Sequence, residues 1–415
     1  MHPSFLSLDE ARELAATYGT PLFVYDAARL WEMASSALAF PNAFGLTVRY
    51  AMKALPTAAV LRLFHESGLH MDASSGYEAE RALRAGIPAD RIQITAQELP
   101  KNLQELVSKG VLFNACSLNQ LRAYGAIFPG AEVSVRINPG LGSGHSNRTN
   151  VGGPSSSFGI WHELLPEVRA LATEHGLRIT GMHTHIGSGS DPETWVHCAG
   201  MALEIAERLP EVTRLSLGGG YKIARMPEEK PADMQAIGRA VVPRFEAFAQ
   251  THGRKLHLEI EPGTFLVANA GALLSRVMDV VHTGAEGYRF IKADTGMTEI
   301  LRPSLYGAQH PIALATQDGR VGEVVDYLVV GHCCESGDIL TPAPGDPETP
   351  KARSLQEAQI GDVLIIDGAG AYCSGMSAKN YNAFPVCAEV LRDGAGNYRV
   401  IRERQTLEQM LANEV

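Results

Sequence analysis

The chain has 415 residues, 45% of them hydrophobic and 20% charged, and carries a formal net charge of -10. This apolar content excludes a disordered chain, the acidic balance leaves no basic footprint for nucleic acid or an anionic membrane, and no stretch is apolar for long enough to span a bilayer. A small-molecule ligand is expected, together with two domains, one of them the size of a barrel of about 250 residues.

In chain order, Ser7-Leu8-Asp9-Glu10 has the pattern of a capping box and predicts a helix running to about Tyr18. Short β-rich runs then alternate with helical segments: 46–52, 69–72, 91–95, 112–116, 132–137, 178–185, 212–217 and 256–261. Eight such strands with intervening helices predict an α/β fold that closes as a (β/α)8 TIM-type barrel over residues 25–271, an open doubly wound sheet being the competing layout. Segments 78–84 and 195–209 each carry one apolar stripe and predict covering helices. Beyond Gly271 the texture changes to β-rich runs at 323–330, 362–366, 386–391 and 398–401, so residues 272–415, with 1–24, predict a β domain. The stretch 341–354, with four prolines, predicts an exposed loop. Six scattered cysteines, no CxxC spacing and no apolar N-terminal signal segment predict a reduced, cytoplasmic setting.

Barrel enzymes keep their chemistry at the C-terminal ends of the strands. Lys53, in Ala51-Met52-Lys53-Ala54, ends the first predicted strand, where partial desolvation would free its amine to attack a carbonyl. Asp72, Asn138, His185, Gly218-Gly219-Gly220 and Glu261 end later strands, and the set suits pyridoxal phosphate. Lys53 would hold the aldehyde, Glu261 would pair with the pyridine nitrogen, and His185 would stack on the ring. The glycine triplet, with Ser188, would offer close N–H donors to the phosphate. Taken singly, each has a structural alternative: a core imidazole, a helix-start carboxylate, a turn glycine. A second set follows in the C-terminal region: Arg302-Pro303-Ser304-Leu305-Tyr306, Cys333-Cys334-Glu335-Ser336-Gly337-Asp338, Gly370-Ala371-Tyr372 and Asn380-Tyr381-Asn382. A cysteine beside two carboxylates, without a second ligand cluster, points to acid/base work and to no metal site.

These motifs, with Arg136-Ile137-Asn138-Pro139, Phe158-Gly159-Ile160, His183-Thr184-His185 and Glu261-Pro262-Gly263, occur in an order that resembles the fold type III pyridoxal-phosphate decarboxylases, which share the alanine racemase-like architecture. Among them the resemblance is strongest to the diaminopimelate decarboxylases. It implies a homodimer in which the β domain of one subunit completes the barrel site of the other. It further implies that Lys53 anchors the cofactor, that Asp72, His185, Glu261, Gly263 and Tyr372 contact it, and that Ser188, Gly218, Gly219, Gly220 and Tyr381 hold its phosphate. Cys334 would protonate the α-carbon, making it catalytic together with Lys53 and His185. Glu335 and Tyr372 would meet the distal amino group of the substrate, and Arg302 with Tyr306 its distal carboxylate. The reaction implied is decarboxylation of meso-2,6-diaminopimelate to L-lysine, as in lysine biosynthesis. Residues 140–157, with His145, Thr149 and Gly152-Gly153, resemble that family's active-site loop.

Three departures stand out. Thr264 follows Glu261-Pro262-Gly263 where the family usually has an arginine, Ser157 stands where lysine is common, and the run 376–380 is one residue longer than usual. Either Lys222, Arg225 or water replaces the lost charge, or the substrate is D- or L-ornithine, lysine or a carrier-linked amino acid. A racemase, or a binding protein that has kept only the fold, are the remaining alternatives; the presence of both Lys53 and Cys334 disfavours the second.

Overall fold

The computed structural model describes residues 5–140, 152–185 and 189–415. Two units make it up: one takes Trp31–Ile223 and Lys230–Leu266, the other the chain up to Leu30, Ala224–Glu229 and Val267–Val415. Residues 25–30 and 267–271, placed with the barrel on sequence grounds, cluster instead with the second unit, whose central strands they lead into or out of.

Strands are numbered in chain order, and β1 (Leu22–Asp26) belongs to the second unit. The first unit is built from β2 (Leu46–Ala51), β3 (His70–Ala73), β4 (Ile92–Ile94), β5 (Leu112–Ala115), β6 (Glu132–Asn138), the two-residue β7 (Ile160–Trp161), β8 (Arg178–His183), β9 (Arg214–Ser216) and β10 (His257–Ile260). With β7 attached only to β6, the other eight pair in parallel, and β10 meets β2 at Leu258 and Leu46, closing the expected barrel. Each strand overlaps its expected run, and the helices Gly76–Arg84 and Pro192–Glu207 cover the predicted segments.

Residues in register share a face, so the pairing places Arg49, Asp72, Gln93, Asn114, Ser134, Arg136, His183, Ser216 and Glu259 on the inner side. All nine are buried. The opposite face carries Val48, Tyr50, Met71, Ile92, Ile94, Phe113, Val135, Met182, Leu215 and Ile260, also buried, and this is the apolar signal visible in the sequence. The lumen is therefore polar, and Glu259 is paired within it. Arg49 spans Glu259 with Nε at 3.3 Å and Nη2 at 3.1 Å, while Arg214 reaches the same carboxylate at 3.3 Å. Burial pushes the Glu259 carboxyl up, but the Arg49 charge and hydrogen bonds, with Arg214, leave it below its ordinary value.

The second unit is a nine-stranded sheet. Its strands are β1, β11 (Gly271–His282), β12 (Arg289–Ala293), β13 (Ile312–Ala315), β14 (Val324–Val330), β17 (Arg353–Gln356), β18 (Val363–Ile366), β19 (Ala388–Arg392) and β20 (Tyr398–Arg402); β15 (Pro342–Ala343) and β16 (Asp346–Pro350) form a separate hairpin. The strand β1 had no counterpart among the expected strands, because its partners, β11 and β19, lie far along the chain. The N-terminal helix Leu8–Tyr18 forms as expected. Glu10 N donates to Ser7 Oγ at 3.1 Å and Ser7 N donates back to Glu10 Oε2 at 2.9 Å, and Leu14 joins Leu22, Val24, Leu274, Ile365 and Val390 in the core. The proline-rich stretch 341–354 is exposed over much of its length, as expected, but it is not a loop: it starts at the buried Thr341 and supplies the hairpin, in which Pro342 pairs with Pro350. Among the described residues, no helix is long and apolar enough to cross a membrane.

Removing the Glu259 carboxylate would strand a buried guanidinium. Glu259→Ala is expected to lower unfolding stability in urea by about 3–5 kcal/mol, and a loss below about 1 kcal/mol would contradict the lumen pairing.

Candidate active site

At the C-terminal ends of the barrel strands, β2 runs straight into a tight turn, Met52–Ala54, that carries Lys53. The turn is pinned: Ala51 N donates to Pro262 O at 3.2 Å and the Tyr50 hydroxyl to Leu55 O at 3.0 Å. The expectation of partial desolvation is corrected here, since Lys53 is exposed and what surrounds it is carboxylate. Its charge acts on Asp72 and Glu78, drawing both carboxyls down against the burial that raises them. The Glu78 carboxylate accepts from Ser74 N at 2.7 Å, while Glu78 N donates at 3.0 Å to Ser75 Oγ, which caps the helix.

Glu261 is held through both of its carboxylate oxygens. It is 6% exposed, its Oε2 lies 2.8 Å from His183 Nε2, and its Oε1 accepts from the Ser216 hydroxyl at 2.9 Å. Burial favours the neutral acid, yet the His183 imidazole and the Ser216 hydroxyl, each bonded to one carboxylate oxygen, outweigh it and hold the group ionised, below the usual carboxylate range. That charge, added to burial, pushes Asp72 in the opposite direction, well above an ordinary aspartate, with Lys53 and Thr95 opposing. Two buried carboxyls thus part in character, one anionic and one inclined to hold a proton.

The glycine triplet is shaped by its neighbours. Gly218 (φ +71°) would place a Cβ 2.3 Å from His185 Nδ1, and Gly219 would place one 2.2 Å from Glu261 O. No side chain fits at either, so the backbone comes close to whatever binds there. Gly219 N donates to His185 Nδ1 at 2.8 Å, which puts the remaining imidazole proton on Nε2. Burial, then the Arg136 and His183 charges, hold His185 far below its ordinary pKa, hence neutral. Gly220, at φ +104°, accepts from Gly189 N at 3.0 Å, and the buried Gly263 precedes the helix Thr264–Val267. Lys53, Asp72, His185, Gly218, Gly219, Gly220, Glu261 and Gly263 therefore share one end of the barrel. Ser188, His145 and Thr149 lie outside the described residues. Asn138, at the end of β6, accepts from Gly140 N at 3.1 Å and Gly153 N at 2.8 Å and donates to Gly153 O at 3.0 Å, so a single side chain ties Gly140 to Gly153.

The second unit arranges its own set. Asp338, 2% exposed, accepts from Met297 N at 2.7 Å through Oδ1 and from Cys333 N at 3.0 Å through Oδ2; a Cβ on Gly296 or Gly331 would collide with it. It orders the motif. Burial, then Asp338, pushes the Cys333 thiol up to about 12, whereas the neighbouring Cys334 is exposed. Cys334 N donates to Asn382 Oδ1 at 2.8 Å, with Asn382 itself left-handed at φ +50°. Glu335 is exposed and accepts from Gly337 N at 3.0 Å; Tyr381 is exposed on the turn Tyr381–Ala383, and Tyr372 is left-handed at φ +55°. Arg302 and Tyr306 stand one turn apart on the short helix Arg302–Tyr306. Arg302 Nη1 meets His310 Nε2 at 2.9 Å, and His310 Nδ1 donates to Asp367 O at 3.0 Å. Burial and the Arg302 charge keep His310 neutral, so it accepts from the guanidinium.

The supporting residues have little signal in the sequence: His183 stands out only as part of the motif His183-Thr184-His185, and Ser216 and His310 belong to no motif. The spacing His183-x-His185 and Ser216-x-Gly218 on inward-facing positions was the available signal.

Asp72 Oδ1 and His183 Nδ1 are buried at the barrel end with no partner among the described residues. Together with the glycine cradle and an ionised Glu261, they fit an aromatic nitrogen base bearing an anionic tail. Residues 30–268 match the family model of the pyridoxal-dependent decarboxylase, pyridoxal binding domain. The chain belongs to this family. It is a pyridoxal-phosphate-dependent carboxy-lyase. It is 36% identical to the diaminopimelate decarboxylase of Escherichia coli (strain K12) over 422 residues, covering 99% of this chain and 97% of that one. Against the enzyme of that name from Streptomyces coelicolor it is 37% identical over 412 residues, covering 97% and 90%. Among solved structures, a diaminopimelate decarboxylase matches with a TM-score of 0.93 at 35% identity, covering 100% of this chain and 99% of the other. The Helicobacter pylori diaminopimelate decarboxylase complexed with L-lysine gives 0.85 at 26% identity, with 97% and 98% covered.

In this decarboxylase, Gly219→Ala would push a methyl group into the Glu261 carbonyl. Cofactor affinity, followed by visible absorbance on titration with pyridoxal phosphate, is expected to fall about tenfold or more. Unchanged affinity would show that the triplet does not cradle the cofactor.

Proposed function

We propose that this enzyme converts meso-diaminopimelate to L-lysine and carbon dioxide. The observation that carries the reading is the likeness to diaminopimelate decarboxylases along 99% of the chain. A guanidinium at Arg302 that is steadied by a neutral imidazole supports it. When bound, pyridoxal phosphate supplies an electron sink for the pair left on the α-carbon as carbon dioxide departs.

The protein's own residues do the rest. Lys53 would offer its amine as the covalent anchor, and the ionised Glu261 would keep a proton on the pyridine nitrogen. His185, neutral, would stack on the ring. Gly218, Gly219 and Gly220, with Ser188 and Tyr381, would hold the phosphate, and Asp72, Gly263 and Tyr372 would complete the cofactor contacts. The exposed Cys334 thiol delivers the proton that replaces the carboxylate. Glu335 and Tyr372 receive the distal amino group, while Arg302 and Tyr306 receive the distal carboxylate, for which a planar guanidinium forms two parallel hydrogen bonds. The working form is a homodimer in which one subunit's β unit completes its partner's barrel site. A reduced cytoplasmic setting suits cysteines that are all unpaired.

Thr264, in place of the arginine usual after this motif, favours a second reading, in which lysine or ornithine is the substrate. Assays with diaminopimelate and lysine separate the two: a higher kcat/KM for diaminopimelate is expected, and equal or faster turnover of lysine would overturn the proposal. Lys53→Ala is expected to remove the visible absorbance of the bound cofactor. Cys334→Ala should retain that absorbance and lose about two to four powers of ten in decarboxylation rate, the usual worth of a positioned proton donor; undiminished turnover would rule out the thiol. Arg302→Ala should raise KM for the diacid and spare a monocarboxylate substrate, and equal damage to both would make the arginine structural.

A further inference from the structure

Arg225 lies in the short excursion Ala224–Glu229, which interrupts the barrel segments of the chain yet belongs to the β unit. The excursion is tightly held. Asn269 Nδ2 donates to Ala224 O at 2.8 Å, and the Glu229 carboxylate accepts from Arg225 N at 2.6 Å and Met226 N at 3.2 Å. Arg225 Nε then donates to Gly368 O at 2.9 Å, and Gly368 (φ +64°) leaves the room: a Cβ there would stand 2.9 Å from Arg225 Cγ.

The adjacent carbonyl, Asp367 O, anchors His310, which in turn holds Arg302. Two consecutive carbonyls of one turn thus gather Arg225, His310 and Arg302. Neither guanidinium is ion-paired among the described residues, and Arg225 Nη2 is shielded from solvent with no hydrogen-bond partner. An unpaired guanidinium nitrogen beside a second cation is costly unless an anion occupies the place. Burial, then the Arg302 charge, depresses the Arg225 pKa to about 9, with Cys373, Glu229 and Tyr372 opposing. The imidazole between them stays neutral and brings no counter-charge.

We propose that Arg225 is a second substrate-recognition residue, forming with Arg302 a two-guanidinium site within the β unit for the distal carboxylate of a diacid amino acid. The inference rests on the diacid reading given above and adds the residue that enforces it. One guanidinium orients a carboxylate in a plane; a second, fixed on another backbone carbonyl, adds the charge that a monocarboxylate substrate cannot use.

The test is calorimetric binding to the holoenzyme of pimelate, a dicarboxylate, with hexanoate as the monocarboxylate control. Wild type is expected to prefer pimelate by about tenfold or more, and Arg225→Gln to lose about tenfold in pimelate affinity while hexanoate changes less than about twofold. Arg225→Lys, which keeps the charge without the fork, should fall between them. Equal pimelate affinity in wild type and Arg225→Gln overturns the proposal. So does a variant that loses pyridoxal phosphate and leaves pimelate binding intact, since the anion would then be the phosphate. Should Arg225→Gln fail to fold, undiminished affinity in Arg225→Lys, or a wild type without preference for pimelate, overturns it equally. If pimelate binding depends on Arg225 but diaminopimelate is not turned over, the site stands and the substrate reading falls.

Discussion

The structure of the barrel end depends on keeping one buried carboxylate charged. Glu261 is surrounded by protein and would be neutral if left alone, so His183 and Ser216 must both bond it. The consequences spread outward. Ser216 also accepts from Gly218 N at 3.1 Å, Glu261 N donates to Gly218 O at 2.9 Å, and Gly219 lies against the Glu261 carbonyl. The acid that would pair with a ring nitrogen and the backbone that would cradle a phosphate are thus one hydrogen-bonded piece. The same negative charge raises Asp72, so the site holds one firm anion and one carboxyl that retains a proton more readily.

A polar lumen makes this possible. With Arg49, Glu259 and Arg214 paired below, and Asn114 Nδ2 donating to Thr95 Oγ1 at 3.3 Å, the inner face offers partners instead of an apolar plug. The β unit solves a parallel problem with backbone conformation. Asp338 gathers two backbone N–H groups and leaves Cys334 exposed beside a left-handed Asn382, so the thiol is presented on a shaped loop without itself being buried.

Much of this could be read from the chain because strand ends and motif order coincide. The outer faces of β2, β8, β9 and β10 are apolar and mark the strands, and Lys53, His185, the glycine triplet and Glu261 follow them in that order. What escaped is what only closure creates. His183 and Glu261 are bonded across strands that the sequence separates widely, and β1 finds its neighbours only when β11 and β19 are in place. The exposure of Lys53 escaped because strand-end position says nothing about how open the barrel mouth is. Arg225 was legible only as one of several groups, with Lys222 and water, that could replace the missing arginine; what singles it out is Gly368 and His310 beside it, which the chain brings together only on folding.

The barrel keeps Glu261 anionic, and an anion beside the cofactor ring would hold a proton on its nitrogen. Nitrogen NMR of holoenzyme reconstituted with ring-labelled pyridoxal phosphate measures this directly. A pyridinium shift near neutral pH, lost in Glu261→Gln, is the predicted result. A neutral pyridine shift in the wild-type enzyme would contradict it.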